Sequence, residues 1–398
     1  MQRTNVLELV TNKEQKKLLL EMMTLSSCVW NQANYNFRQA VIKKEKTNSF
    51  FKQQQQAIQN TKTYQKLGRS YALPMLQKHS FVANSFFGLI KSKTQEEVGL
   101  PKYFKNRKTN TTLPSLLRID SAQYYFKKDK AHLPLSRAMR KETGLKGIIL
   151  KYNGELRWEG KQGQAEIHYN KIKKKFYLHQ AVEIKEPKQR TGKKVLAIDI
   201  GIKRGIAGFD NKKAYLYPNP IIKKWKQITK RISRLQKIAK ARNGLWTTKQ
   251  IDALYEKRRL MADNYYKNIV SWCIKDANPD KIVVGDVKDI LEKKNKNKTA
   301  NRMTHTLWSF SLLYKRLQNK CEEKGIELVR VPEPFTSQLC PSCGSFNTPI
   351  DREYKCGCGY EQDRDINGAL NIFHQNIDGK ICLHPAVENH RLLLGGLE

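Results

Sequence analysis

Acidic residues are scarce in this chain: 36 Asp and Glu stand against 75 Lys and Arg, a formal net charge of +39. No run of about 18 or more apolar residues occurs, which argues against a membrane-spanning helix. Residues 1–10 hold no long apolar run, so no signal peptide is expected. An internal repeat is also missing. So is a disulfide framework: four of the eight cysteines crowd into one C-terminal window, the distribution of a metal site in a reducing compartment. What is present suffices for folding. At 398 residues there is room for two or three domains, and 9% aromatic content is too rich for a disordered chain. A cationic excess of this size repels itself unless a polyanion compensates, and the usual polyanion is nucleic acid. The bland alternative is a lysine-rich solvated surface set by codon bias, and a surplus this large is hard to explain by bias alone.

The texture of the chain changes twice. Residues 4–10 read as a short strand, and a helical pattern follows from 14 to about 44, with Leu18, Leu19, Met22, Met23, Val29 and Trp30 on one face. Two further helical stretches cover roughly 50–66 and 74–95. Residues 112–188 then show short alternating runs at 147–151, 165–169 and 176–184, separated by Gly and Asn turns. They predict a β-rich module, a small barrel completed by the first strand, with the helices inserted between. Residues 187–194 form a basic linker and the expected boundary. Beyond it the pattern is α/β: strands at 195–200 and 205–209, an amphipathic helix at 221–241, a second helix at 247–277, a strand at 281–284, a basic loop, a helix at 305–324 and a strand at 326–331.

Three motifs carry chemistry. The apolar strand at 195–200 ends in a lone acid, Asp199, beside Gly201. An RNase H-like sheet opens this way, and nucleases of that fold converge several carboxylates on Mg²⁺, a hard ion that prefers oxygen. Alone, a strand-ending aspartate also serves as a loop cap. The second motif pairs Cys340 and Cys343 with Cys356 and Cys358, each pair followed by glycine. Four thiolates in two tight pairs match a closed, structural Zn²⁺ ribbon. Cys28, Cys273, Cys321 and Cys382 read as buried hydrophobes. The third motif is DRDINGALNI at 363–372, where Asp365 and Asn367 open a helix with Ile366, Leu370 and Phe373 on its apolar face. There Asp365 either caps the helix or points back at Asp199. Basic and aromatic residues interleave at Lys102, Tyr103, Arg107 and Lys108 and again at 124–128. Lys230, Arg231 and Arg234 line the polar side of the helix at 221–241, and Lys294 and Lys296 sit in the basic loop. Such mixtures suit RNA or unpaired DNA.

The order AIDIGIKRGIAGF, PFTSQLCPSCG, YKCGCGY and DRDINGALNI resembles the TnpB family and its relatives, the compact type V CRISPR effectors, closely over 195–375 and in layout before that. The resemblance implies a multidomain α/β plus β chain: an RNase H-like (RuvC) nuclease core with an inserted Cys₄ zinc ribbon, preceded by a β-barrel wedge carrying a helical recognition lobe. The corresponding segments are 1–10 and 111–190 for the wedge, 11–110 for the lobe, 191–333 and 361–398 for the core, and 334–360 for the ribbon. It implies an RNA-guided DNA endonuclease with a guide RNA, a double-stranded DNA target and Mg²⁺, at work in a prokaryotic cytoplasm beside the nucleoid. The first and last acids of the family's catalytic trio match Asp199 and Asp365. The middle acid, expected where the strand at 281–284 ends, is replaced by Gly285. Asp286 is adjacent, but one residue along a strand turns a side chain to the opposite face. Glu333, just before the TSQ segment where some members carry the acid, is the stronger candidate, with Asp286 as a fourth. Two other readings stay open: a guided repressor that binds without cutting, motivated by Gly285, and a guide-independent nuclease on the same fold.

Overall fold

The computed structural model describes residues 1–44, 50–92, 98–106, 109–201, 204–210, 212–286, 310–332, 336–349, 352–377 and 391–393. The chain divides into two compact units, Met1–Lys185 and Glu186–Glu398.

The first unit is built on a seven-stranded antiparallel sheet of β1 (Gln2–Val10), β2 (Leu116–Ile119), β3 (Tyr125–Lys127), β4 (Lys130–Pro134), β5 (Gly147–Asn153), β6 (Lys161–Asn170) and β7 (Lys175–Glu183). Their order is β2-β6-β7-β1-β5-β4-β3, so the first strand lies at the centre. Strict alternation fixes its register, with Asn5, Leu7 and Leu9 buried and Val6 and Val10 exposed. Between β1 and β2 run α1 (Lys13–Ile42), α2 (Phe50–Ile58), α3 (Lys62–Leu67) and α4 (Arg69–Ser92), and α5 (Arg137–Thr143) joins β4 to β5. α1 starts at a capping box: Gln15 N donates to Asn12 Oδ1 at 2.8 Å, and Asn12 N to Gln15 Oε1 at 3.1 Å. The sheet curls, yet β2 and β3 form no ladder with each other. Side chains tie the segment between them to β6 instead. Gln162 Nε2 donates to the carbonyls of Ser121 (2.6 Å) and Tyr124 (2.9 Å), and Tyr124 Oη donates to Gly163 O (2.8 Å).

His79 on α4 is buried against Trp30, edge to face at 4.8 Å, and against Phe37. Burial pushes its imidazolium down to about 4. The unfolded chain therefore takes up this proton first, so stability is complete above about 6.5 and falls as pH drops from there towards 4. Thermal unfolding between about pH 7 and pH 4.5 is expected to show that loss, and His79→Gln to flatten it. An unchanged slope in the variant would remove His79 from the account.

The second unit carries a six-stranded sheet, β12-β11-β8-β9-β10-β15. Its strands are β8 (Val195–Gly201), β9 (Gly205–Phe209), β10 (Ala214–Tyr217), β11 (Lys281–Asp286), β12 (Glu327–Pro332) and β15 (Arg391–Leu393); a separate hairpin pairs β13 (Glu353–Lys355) with β14 (Glu361–Asp363). β8, β9 and β10 form an antiparallel meander, while β11 and β12 add in parallel on the other side of β8. The helices are α6 (Ile221–Asn243), α7 (Lys249–Lys275), α8 (Phe310–Lys324) and α9 (Arg364–Ile377). Leu196, Ile198, Ile200, Ile282 and Val284 pack under α7 and α8. Ala197, Ala207, Phe209, Val283 and Val331 pack under Ile366, Ala369, Leu370 and Phe373 of α9. Among the described residues no helix is long and apolar enough to cross a membrane.

Candidate active site

Strand alternation decides where Asp199 points. Leu196, Ile198 and Ile200 face α7 and α8, so Ala197 and Asp199 face α9. The apolar residues of α9 lock that helix in rotation. Each large one contributes about 1.5–3 kcal/mol by burial, and a turn of the helix would forfeit several at once. Asp365 and Gly368, three residues apart, are thereby set on one side of α9. A Cβ built on Gly368 would stand 2.5 Å from Asp199 Oδ2 and 3.2 Å from its Cγ. Only glycine leaves room for that carboxylate. Asp365 Oδ2 lies 4.0 Å from where a Cβ on Gly201 would be, beside the end of β8.

The helix cap is Asp363, not Asp365. Asp363 Oδ1 accepts the Asp365 amide at 2.9 Å, and its other oxygen pairs with Arg204. Asp365 is left to accept from Arg352 Nη1 at 2.5 Å. Burial, and then the Asp365 carboxylate, push Asp199 up to about 7. Burial also raises Asp365, with Arg352 opposing it. Two neighbouring carboxylates that resist ionisation together are a donor set that fits a hard divalent cation.

The remaining acids part company. β11 pairs Val284 with Ile198, so by count Gly285 stands level with Asp199; it shares the α9 face with Val283 and offers no side chain there. Asp286 falls on the opposite face and accepts from Arg330 Nη2 at 2.6 Å, whose guanidinium lies 4.9 Å over Tyr314. β12 turns Val329 and Val331 to the α9 face. Glu333 lies outside the described residues.

The four cysteines come together. The sulfurs of Cys340, Cys343, Cys356 and Cys358 all lie within 4.8 Å of one another, with 3.8 Å between Cys340 and Cys358 and 3.4 Å between Cys343 and Cys356. A tetrahedral zinc with Zn–S bonds of about 2.3 Å needs sulfurs roughly 3.8 Å apart, so the cluster can hold zinc. Gly344 (φ +74°) and Gly359 (φ +89°) turn the two knuckles in the left-handed region that favours glycine. Backbone hydrogen bonding from Cys358 pulls the Cys356 thiol down to about 6, towards the thiolate a metal requires. Cys273 and Cys321 are buried and Cys28 is half-buried, while Cys382 lies outside the described residues. Sequence reasoning missed what ties this ribbon to α9. Asn367 Nδ2 donates to Leu339 O at 2.9 Å, and Asn371 Nδ2 to Thr336 O (2.6 Å) and Leu339 O (2.9 Å). Their i, i+4 spacing within an apolar helix face was the available signal. Arg352, at the ribbon hairpin, had none.

Of the basic candidates, Lys102 is exposed and Tyr103 lies 4.7 Å beneath the Arg38 guanidinium. Lys230, Arg231 and Arg234 are exposed and, with Lys237, line an open groove of about 810 Å³ along α6. Arg107, Lys108, Lys294 and Lys296 lie outside the described residues.

Two family models match the chain: Cas12f1-like, TNB domain, over residues 310–372, and Probable transposase (OrfB_IS605) over residues 179–291. A TnpB-like protein, ORF457 of Acidianus two-tailed virus, is 26% identical over 94% of this chain and 87% of its own length. The CRISPR-associated endodeoxyribonuclease Cas12f1 of Sulfoacidibacillus thermotolerans is 27% identical over 54% of this chain. The match spans only 53% of that relative. Among solved structures, a Cas12f1–sgRNA–target DNA complex aligns over 91% of this chain and 83% of its own with a TM-score of 0.57 at 16% identity, a likeness of fold. The class so defined is a mixed α/β protein with the architecture of Cas12 effectors and a Cys₄ cluster. The chain is a relative of the TnpB and Cas12f proteins, and the resemblance carried by its motifs is borne out.

Proposed function

We propose that the chain is an RNA-guided DNA endonuclease whose second unit is an RNase H-like (RuvC) core. The observation that carries the reading is the approach of Asp199 on β8 to Asp365 on α9 across Gly368. A three-strand meander extended by parallel strands from its first member, with an acid near the end of that first strand, is the frame such a core needs. Asp199, Asp365 and Glu333 would hold two Mg²⁺ ions. Bound there, Mg²⁺ supplies an activated water and Lewis acidity towards the phosphodiester. The chain's own part is to orient the carboxylates. Arg352 favours the ionised form of Asp365, and Gly368 leaves the Asp199 carboxylate the space it occupies. Cys340, Cys343, Cys356 and Cys358 hold a structural Zn²⁺, and the asparagines of α9 anchor it to the core.

The partners are a guide RNA and a matching double-stranded DNA, met in the prokaryotic cytoplasm. An excess of +39 charges suits a protein that holds the backbone of a guide–target duplex and leaves sequence to base pairing. The test uses protein purified with RNA from its own locus, Mg²⁺, and plasmids with or without a guide-matched site. Cutting of the matched plasmid alone, stopped by EDTA, is expected. Retention of the matched plasmid without a nick would favour the repressor reading, which Gly285 supports by leaving β11 without an acid at that level.

Gly368→Ala is a narrow probe of the geometry. The added methyl forces the Asp199 carboxylate to rotate away, while alanine suits the helix better than glycine does. Cleavage is expected to fall more than about tenfold with the melting temperature nearly unchanged. Wild-type rates in this variant would contradict the placement of Asp199.

A further inference from the structure

The basic and aromatic residues at 124–132 have no part in the carboxylate site, and the sheet of the first unit lays them out in two rows. Tyr125 stands opposite His132, and His132 opposite Ile149. Two residues along the same strands, Lys127 stands opposite Lys130, Lys130 opposite Lys151, and Lys151 opposite Val10 of β1. The alternate residues Ala131, Leu133, Ile148 and Leu150 fill the core, so both rows share the outer face. That face is open. Tyr125 is 57% exposed and Ile149 50%, and all three lysines are exposed. The Tyr125 and His132 rings stack at 4.5 Å and 12°.

Like charges directly opposite on neighbouring strands repel, so sheets usually answer a lysine with an acid. This one does so nearby, where Glu8 on β1 takes Lys175 at 2.7 Å. Lys127, Lys130 and Lys151 make no ion pair among the described residues. Three unanswered cations across three adjacent strands, beside a backed and exposed aromatic ring, complement a flexible polyanion with planar groups to offer. We propose that the outer face of β3, β4 and β5 is a docking surface for single-stranded nucleic acid. Tyr125, backed by His132, stacks an unpaired base, and Lys127, Lys130 and Lys151 take the flanking phosphates. A duplex keeps its bases stacked inside and has none to give Tyr125. The inference rests on the proposed function only in its choice of polyanion.

The full chain is titrated by fluorescence anisotropy with an oligonucleotide of about 12 residues, as RNA, as DNA and as duplex, over a range of salt. Tyr125→Ala is expected to weaken single-strand binding by about 5- to 100-fold. Lys127→Gln, Lys130→Gln and Lys151→Gln together should flatten the slope of log K against log salt by about 2, near 0.7 for each phosphate contact. The same charge removed at the exposed turn, with Lys171→Gln, Lys173→Gln and Lys174→Gln, should have less than half that effect. A preference for RNA would assign the surface to the guide, and one for DNA to the displaced strand. Equal losses from the two triple variants, an inert Tyr125→Ala, or equal competition by duplex or anionic vesicles would overturn the proposal. Cleavage is not read in this assay, so a surface that fails here leaves the nuclease reading standing, and intact binding without any cutting does the reverse.

Discussion

Asp199→Asn is expected to bind the matched target as wild type does and to cut it more than about 100-fold more slowly. Changes one layer outside a metal typically cost about 10- to 100-fold, and a ligand costs more. Asparagine keeps the volume that Gly368 admits, so the loss is one of charge and not of shape. The same substitution has a second signature. Asp199 in the fold has its pKa raised to about 7, against an ordinary value of 3.8, by burial and by Asp365. A carboxyl raised in this way favours folding below its unfolded value, and that favour is lost as pH rises through about 7. Without divalent metal at about pH 8, the asparagine variant should therefore melt higher than wild type, and added Mg²⁺ should stabilise wild type alone. Glu333→Gln should reproduce the loss of cutting. Asp286→Asn should change the rate less than about tenfold, because Asp286 faces Arg330 on the other side of the sheet. A severe defect in Asp286→Asn with a mild one in Glu333→Gln would exchange their roles.

The second large effect lies in the Cys₄ cluster. Cys356→Ser is expected to lower bound zinc from one ion per chain to almost none, as read by elemental analysis. Structural zinc in small fingers contributes roughly 10–16 kcal/mol in apparent terms, far more than a hairpin of two three-residue strands can supply for itself. The consequence should extend to the carboxylates. Arg352 enters β13, and Asn367 and Asn371 hold the segment leading into Cys340, so an opened ribbon releases both sides of Asp365. Cleavage should collapse with the zinc and return when a chelated wild-type sample is resupplied. Full zinc content in Cys356→Ser would show that the metal sits elsewhere.

How much of this was legible varied with the range of the interaction. Asp199 could be read because an apolar strand with one acid at its end is a local pattern, and α6 because its apolar stripe repeats at helical spacing. The cysteine cluster was legible from spacing alone. α4 begins at Arg69, five residues before the Pro74 that the sequence suggested as a start. One lost hydrogen bond near a helix end is outweighed by burial of Tyr71, Ala72 and Met75. β10 is four residues long and β15 three, too short for periodicity to register. Asp363 and Asp365 stand two residues apart in one motif, and only three-dimensional pairing shows that Asp363 caps the helix while Asp365 accepts from Arg352. Arg204 and Arg352 reach those acids from 159 and 13 residues away, a relation no local pattern carries. Gly368 was invisible for the same reason, since its need for no side chain arises from Asp199 on a distant strand.

The central claim is that an RNA chooses the site at which these carboxylates cut, and exchanging the guide tests it most directly. Protein loaded with either of two RNAs that differ only in the guide segment is incubated with Mg²⁺ and a plasmid carrying both matching sites, and the ends are sequenced. Each guide is expected to produce breaks at its own site alone, with both products absent in Asp199→Asn. Breaks at the same positions whichever guide is loaded, or in the absence of RNA, would contradict it and leave a nuclease that acts without a guide.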